Sequence, residues 1–312
     1  MRHALGPPRS GSCALWDDGP MHLGLFNINM GKQCAPDRLT AAAQAAEAAG
    51  FESLWAGEHV VLPDPQVPPS PMAPQDPAID PFIGLTYAAA VTERIRLAAT
   101  ILIAAYRDSP AVLAKQLATV DHLSGGRLVV GVAAGGREDD FLEAGTTFIG
   151  RGKRLDDIVA TLREVWRGDT VGPAAAPPLV MGGHSPAAMR RAAKHGQGWI
   201  GGGSSTAGYA ALAEQARLAW KKAGREDQPR MMSLGYVSLG PDGRERAQSY
   251  LRAYYAFAGP KAEMAAAGAI TDAGRLRETI AAYGEVGCDE LILFPCTTDP
   301  AQLDLIAAEA LP

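Results

Sequence analysis

Short, almost wholly apolar runs alternate along the chain with longer segments in which apolar positions recur every three to four residues. Eight such runs can be read: His22–Asn27, Glu52–Gly57, Arg96–Leu102, Arg127–Val132, Leu179–Met181, Gly198–Ile200, Met231–Leu239 and Glu290–Phe294. Their shortness and apolar character fit strands buried on both faces, as in a parallel sheet covered by helices. The intervening segments carry helix punctuation. Pro36-Asp37 opens a helix through Ala49, with Leu39, Ala42, Ala43 and Ala46 on one face and Gly50 as its stop. Ser109-Pro110 opens another to Leu123, ahead of Gly125-Gly126, and a charged amphipathic helix is expected over Arg151–Trp166. Ser185 caps Pro186–His195, and Pro300–Leu311 closes the series. Regular alternation implies parallel strands, and eight repeats imply a closed α/β barrel of the (β/α)8 (TIM) type. The predicted organisation is a disordered lead-in over residues 1–20, with Met21 as a second candidate start, and one barrel domain over 21–312.

One segment breaks the pattern. Between Leu62 and Pro81 the chain holds eight prolines, whose fixed φ and missing N–H groups argue against helix or central strand. It follows the C-terminal end of a strand, where a barrel keeps its active site, so a lid over the mouth is favoured over a spacer.

Composition narrows the partners. A net charge of -5 gives no reason to expect nucleic acid or an anionic membrane, both of which reward clustered Lys and Arg. A small-molecule substrate is expected. Cys13, Cys34, Cys288 and Cys296 form no CxxC pair and no zinc spacing with histidine, so no metal site is expected and a reducing cytoplasm is. No apolar stretch reaches the length of a signal peptide core or a membrane span.

Candidate chemistry clusters after the strands. Gly182-Gly183-His184-Ser185-Pro186 joins a strand to a helix. Glycines allow close backbone approach, and a helix start offers free N–H groups and a favourable dipole, so this turn suits a phosphate-bearing ligand. A tight turn with Ser185 as helix cap is the plainer alternative. Glu58-His59 is the best pair for proton chemistry: an imidazole titrates near neutrality, and a neighbouring carboxylate can orient it. Against this, adjacent residues at a strand end can face opposite ways. Asn27, Asn29, the Tyr106-Arg107 pair and the glycines 201–203 are weaker candidates, each equally explained by turns or surface ion pairs. No GxGxxG on a strand–helix turn, no Walker lysine motif and no HExxH is present.

Several stretches in order, Glu52-Ser53-Leu54-Trp55-Ala56-Gly57-Glu58-His59-Val60, Thr92-Glu93-Arg94-Ile95-Arg96-Leu97, Leu113 through Leu128 and Gly182 through Ala188, resemble the bacterial luciferase-like superfamily, and within it the coenzyme F420-dependent oxidoreductases. The resemblance implies a TIM barrel, usually a homodimer, with a deazaflavin or flavin across the mouth. It implies a bulge in the third strand, with a non-proline cis peptide at Thr100-Ile101 lying behind the ring system. It matches Gly182 and Gly183 to the backbone that holds the cofactor phosphate region, where His184 and Ser185 can add side-chain donors; Gly135 and Asp139 are expected at the cofactor as well, and His59 matches the active-site histidine beside the ring. Gly136 stands where the sugar-phosphate dehydrogenase branch has an acid, which disfavours that reaction. The stretch 168–177 is shorter than the insertion of many relatives.

The function expected on these grounds is F420-dependent hydride transfer to a small organic substrate, with His59, supported by Glu58, assisting. An FMN-dependent monooxygenase using reduced flavin and oxygen is the alternative. A non-catalytic flavin- or deazaflavin-binding protein is the third reading.

Overall fold

Burial of alternate strand residues on two opposite faces closes the sheet on itself. The computed structural model describes residues 19, 21–26, 28–61, 76–168, 176–202, 205–255, 260–297 and 299–311. Eight strands, β1 (His22–Phe26), β2 (Ser53–Ala56), β3 (Arg96–Leu102), β4 (Leu128–Val132), β5 (Leu179–Gly182), β6 (Gly198–Gly202), β7 (Arg230–Val237) and β8 (Glu290–Pro295), pair in parallel in chain order. β8 returns to β1, so the expected (β/α)8 barrel is the fold. On β8, Ile292 and Phe294 face the interior with Phe26, Trp55, Val129, Val180 and Met232. Leu291 and Leu293 face outward into the larger core beneath the helices, as the two-residue period of a strand requires.

The helices are α1 (Pro36–Ala49), α2 (Pro81–Val91), α3 (Pro110–Leu123), α4 (Glu138–Glu143), α5 (Arg151–Arg167), α6 (Pro186–His195), α7 (Thr206–Lys222), α8 (Gly243–Tyr254), α9 (Pro260–Gly268), α10 (Ala273–Glu285) and α11 (Ala301–Ala310). The proline-opened helices α1, α3 and α6 begin where the sequence places them, and Gly50 takes the left-handed φ of 93° that ends α1. α2 is a correction. Pro81, read as the last residue of the proline-rich excursion, is the first residue of a helix whose cap is Asp80; the Asp80 carboxylate accepts hydrogen bonds from Phe82 N at 2.8 Å and Ile83 N at 3.1 Å. Proline suits a first helical position because that N–H has no helical partner in any case. Most of the expected lid, the 1–20 lead-in, Asn27, Gly203 and most of 168–177 lie outside the described residues.

Two features of the barrel bear on its ends. At the N-terminal end the interior is polar: Glu290, 1% exposed, accepts hydrogen bonds from Ser53 and from Trp55 Nε1 at 3.2 Å, and Arg230 Nη2 lies 3.6 Å from its second oxygen. This network closes the floor. Toward the C-terminal end the β3–β4 register shifts between Ala99 and Leu102, and the Thr100-Ile101 peptide is cis, at the bond the resemblance designated. Among the described residues no helix is long and apolar enough to cross a membrane.

Candidate active site

A cavity of about 400 Å³ opens at the C-terminal ends of the strands. One side is built by β3 to β6: Thr100 and Ile101, then Gly135 after β4, Gly182 at the end of β5 with Gly183 and His184 after it, and Ile200 and Gly202 of β6. Side chains are excluded here for steric reasons. A Cβ on Gly182 would lie 2.5 Å from Ile101 Cδ1, and one on Gly183, at φ 127°, would lie 2.8 Å from Ala188 Cβ. Gly135 also has positive φ, 85°. Trp199 Nε1 donates to Gly183 O at 2.8 Å and fixes the turn. Thr100 Oγ1 is buried and has no hydrogen-bond partner among the described residues. Ser185, expected at the cofactor, is outside the lining; its hydroxyl accepts from Ala188 N at 3.1 Å and caps α6.

Across from the glycines stands His59. Its Nδ1 lies 3.2 Å from Arg137 Nη1 and 3.7 Å from Asp140 Oδ2. A guanidinium offers only donors, so Nδ1 accepts, and the proton of the neutral ring is on Nε2. Asp140, 4% exposed, accepts from Val60 N at 2.9 Å and Val61 N at 3.3 Å and lies 3.6 Å from Arg137 Nε, so its carboxylate holds the backbone that follows His59 and faces the arginine that donates to the ring.

Glu58 does not support His59 as expected. Its carboxylate accepts from Ile103 N at 2.6 Å and is bound by both terminal nitrogens of Arg107, Nη1 at 3.2 Å. Both residues follow the end of β2 and line the cavity, but the Glu58 carboxylate is taken up in bracing the segment after β2 to the one after β3. Arg107, considered as an anion or ring binder, is committed to that brace and donates also to Ile103 O at 3.1 Å. Asn29, 1% exposed, is likewise structural: it donates to Gly57 O and Ile79 O, both at 2.8 Å, and accepts from Gly57 N at 3.0 Å.

Asp139, expected at the cofactor, lies outside the lining and pairs with Arg137, whose Nε is 3.1 Å from Asp139 Oδ1. Burial would raise the Asp139 carboxyl, but hydrogen bonding and charge from Arg137 prevail and hold it below its ordinary value. Sequence reading passed over Arg137 and Asp140. The signal was there: Arg137-Glu138-Asp139-Asp140 is a charged run directly after the β4 glycines.

The sequence profile of the luciferase-like monooxygenase family matches residues 21–287. The chain belongs to this family. An uncharacterized protein from Mycobacterium tuberculosis is 31% identical over 243 residues, covering 69% of this chain and 83% of that protein. An F420-dependent hydroxymycolic acid dehydrogenase from the same organism is 27% identical over 202 residues, 58% of this chain and 53% of its own. Among solved structures, an F420-dependent secondary alcohol dehydrogenase in complex with an F420-acetone adduct superposes with a TM-score of 0.79. It shares 18% identity and covers 93% of this chain and 98% of that one; at that identity the likeness speaks for the fold. The luciferase-like barrel therefore places its glycine turns and His59 around one mouth.

Proposed function

We propose that this luciferase-like protein is a cytoplasmic oxidoreductase that uses coenzyme F420 to reduce a small organic substrate. What carries the reading is the meeting, in one cavity, of a bare-backbone glycine side with an imidazole whose protonated nitrogen is fixed. The residues fit the cofactor. Gly182 and Gly183 leave room that a Cβ would fill, α6 begins directly behind them and favours a phosphate, and Thr100 Oγ1 has an unused hydrogen bond to give. F420-dependent relatives support the choice of cofactor.

When bound, the reduced deazaflavin supplies a hydride. The protein's residues do the rest. Gly135, Gly182, Gly183 and His184 would hold the cofactor, with Thr100 and Ile101 beside them in the same lining. Arg137 keeps His59 Nδ1 in its accepting role, so Nε2–H is the group offered to a substrate oxygen. At a substrate carbonyl, Nε2–H would donate a hydrogen bond or its proton to the oxygen and so stabilise negative charge developing there. Asp140 holds the backbone that follows the ring.

Titration of the purified protein with F420 and, separately, with FMN, each followed by cofactor fluorescence, tests the reading. Saturable F420 binding with little response to FMN supports it. The reverse preference favours the family's monooxygenase chemistry, with FMN and oxygen, and binding of neither removes the cofactor assignment. Binding of F420 without turnover of any acceptor favours a carrier.

A homodimer is part of the same proposal. α2 is apolar on both faces, with Ile83 71% and Tyr87 43% exposed, and it packs beside α3, whose Val112 is exposed as well. Ile83→Glu is expected to turn a dimer into a monomer by light scattering; a wild-type monomer would refute it.

A further inference from the structure

The cavity is divided by the order of the strands. β3 to β6 and the segments that follow them give it glycine backbone with the side chains of Ile101, Ile103, Ile200 and one ring, Phe141, whereas β7, β8, β1 and the C-terminal end of α8 line it with six aromatic rings: Tyr236, Phe294, Phe26, Tyr250, Tyr254 and Tyr255. The rings form one continuous cluster with Phe294 at its centre. Phe294 stacks on Phe26 with centroids 4.4 Å apart and planes 21° from parallel. It meets Tyr236 at 5.2 Å and Tyr250 at 5.8 Å. Tyr254 joins Tyr250 at 6.2 Å and Tyr255 at 4.8 Å. These are the separations at which aromatic rings attract beyond simple burial.

The polar points on this wall are uncharged. Tyr236 and Tyr255 share a hydrogen bond of 2.8 Å between their hydroxyls. Burial keeps the phenols protonated, pushing Tyr254 up to about 12 and raising Tyr236 and Tyr250 well above their ordinary value. The charged groups that line the cavity are already committed: Glu58 to Arg107, and Arg137 to His59, Asp139 and Asp140. A carboxylate or phosphate against the aromatic wall would lose its water and, among the described residues that line the cavity, meet no uncommitted counter-ion. His59 follows β2, the strand between aromatic β1 and small-residue β3, so it stands at the seam of the two halves.

We propose that the aromatic wall is the substrate subsite and that it takes a flat, uncharged, conjugated carbonyl compound, ring against ring, with the carbonyl oxygen toward His59. This rests on the oxidoreductase reading above, since the glycine-rich half is then left to the cofactor. A planar ring satisfies the wall in a way a saturated ring cannot.

The test is isothermal titration of the purified protein with three probes: 2-acetonaphthone, its ring-saturated counterpart 2-acetyldecalin, and the charged 2-naphthoate. The expectation is that 2-acetonaphthone binds at least about tenfold more tightly than either. Phe294→Leu and, on a different element, Tyr250→Leu are each expected to weaken it up to about tenfold, the size of an aromatic pair contribution. Equal affinity for the three probes, preference for 2-naphthoate, absence of binding, or indifference to both variants would overturn the proposal. F420 is titrated separately on the same samples. Failure of F420 with probe selectivity intact removes the cofactor reading and leaves the subsite; intact F420 binding without selectivity does the opposite.

Discussion

Arg137 Nη1 lies 3.2 Å from His59 Nδ1, and this contact decides which imidazole nitrogen carries the proton. Arginine has no acceptor to offer and stays charged. Asp140 Oδ2, 3.7 Å from the same nitrogen, is the competing partner that would draw a proton to Nδ1 if Arg137 were removed.

Arg137→Met is therefore expected to redistribute the ring proton toward Nδ1 and to lower turnover by about 10- to 100-fold, the range for one hydrogen bond to a charged group. Nitrogen-15 NMR of labelled histidine reads the tautomer directly. Wild-type protein should show Nδ1 as the unprotonated nitrogen. An unchanged tautomer in the variant would show that Arg137 does not set it.

The paired glycines behave differently on substitution. At Gly182 the obstructing atom is Ile101 Cδ1, the end of a flexible side chain, whereas at Gly183 a side chain meets both Ala188 Cβ and a φ of 127°. Gly183→Ala should cost about 1–3 kcal/mol in urea unfolding and abolish tight F420 binding. Gly182→Ala should unfold close to wild type while still weakening the cofactor. Equal effects of the two on stability would contradict the steric account.

Glu58 and Arg107 are expected to act on stability rather than on proton transfer. With the Glu58 side chain 5% exposed, removing either partner leaves a buried charge unmatched, at a cost of about 3–5 kcal/mol. Denaturant unfolding of Glu58→Gln, Arg107→Met and the double variant measures this, and the double variant should lose less than the sum of the singles. Lower turnover by Glu58→Gln at unchanged stability would restore the catalytic role that sequence reading gave it.

The pattern of these residues explains what could be read from the chain. Strand and helix order was legible because both periodicities and the proline caps at Pro36, Pro110 and Pro186 are local signals. α2 was hidden because Pro81 ends a proline-rich run and opens a helix at once, and a single residue type cannot distinguish the two roles. His59 and the Gly182–Gly183 turn were legible because strand ends mark the barrel mouth. Their partners were not. Glu138, Asp139 and Asp140 are consecutive on one short helix, where each step rotates the side chain by about 100°, and the sequence does not say that Asp140 faces His59 while Asp139 turns to the outer side of Arg137. The aromatic wall joins residues of β1, β7, β8 and α8, a proximity only the closed barrel creates.

Asp139 gives this cluster a pH dependence of definite sign. Desolvation would raise its carboxyl, but the Arg137 hydrogen bond and charge outweigh it and lower the folded value beneath the ordinary 3.8. An acid bound more weakly by protons in the folded state stabilises it fully above its unfolded pKa and loses that contribution as pH falls through the folded value. Asp139→Asn should thus lower the melting temperature relative to wild type by a constant amount from about pH 5 to 7, with the difference closing below about pH 4. Because the Asp139 side chain is 33% exposed, solvent screening keeps the effect small, no more than about 3 °C. A difference that grows on acidification would mean that Asp139 is not held ionised by Arg137, and the arginine would then be freer to leave His59 than the geometry requires.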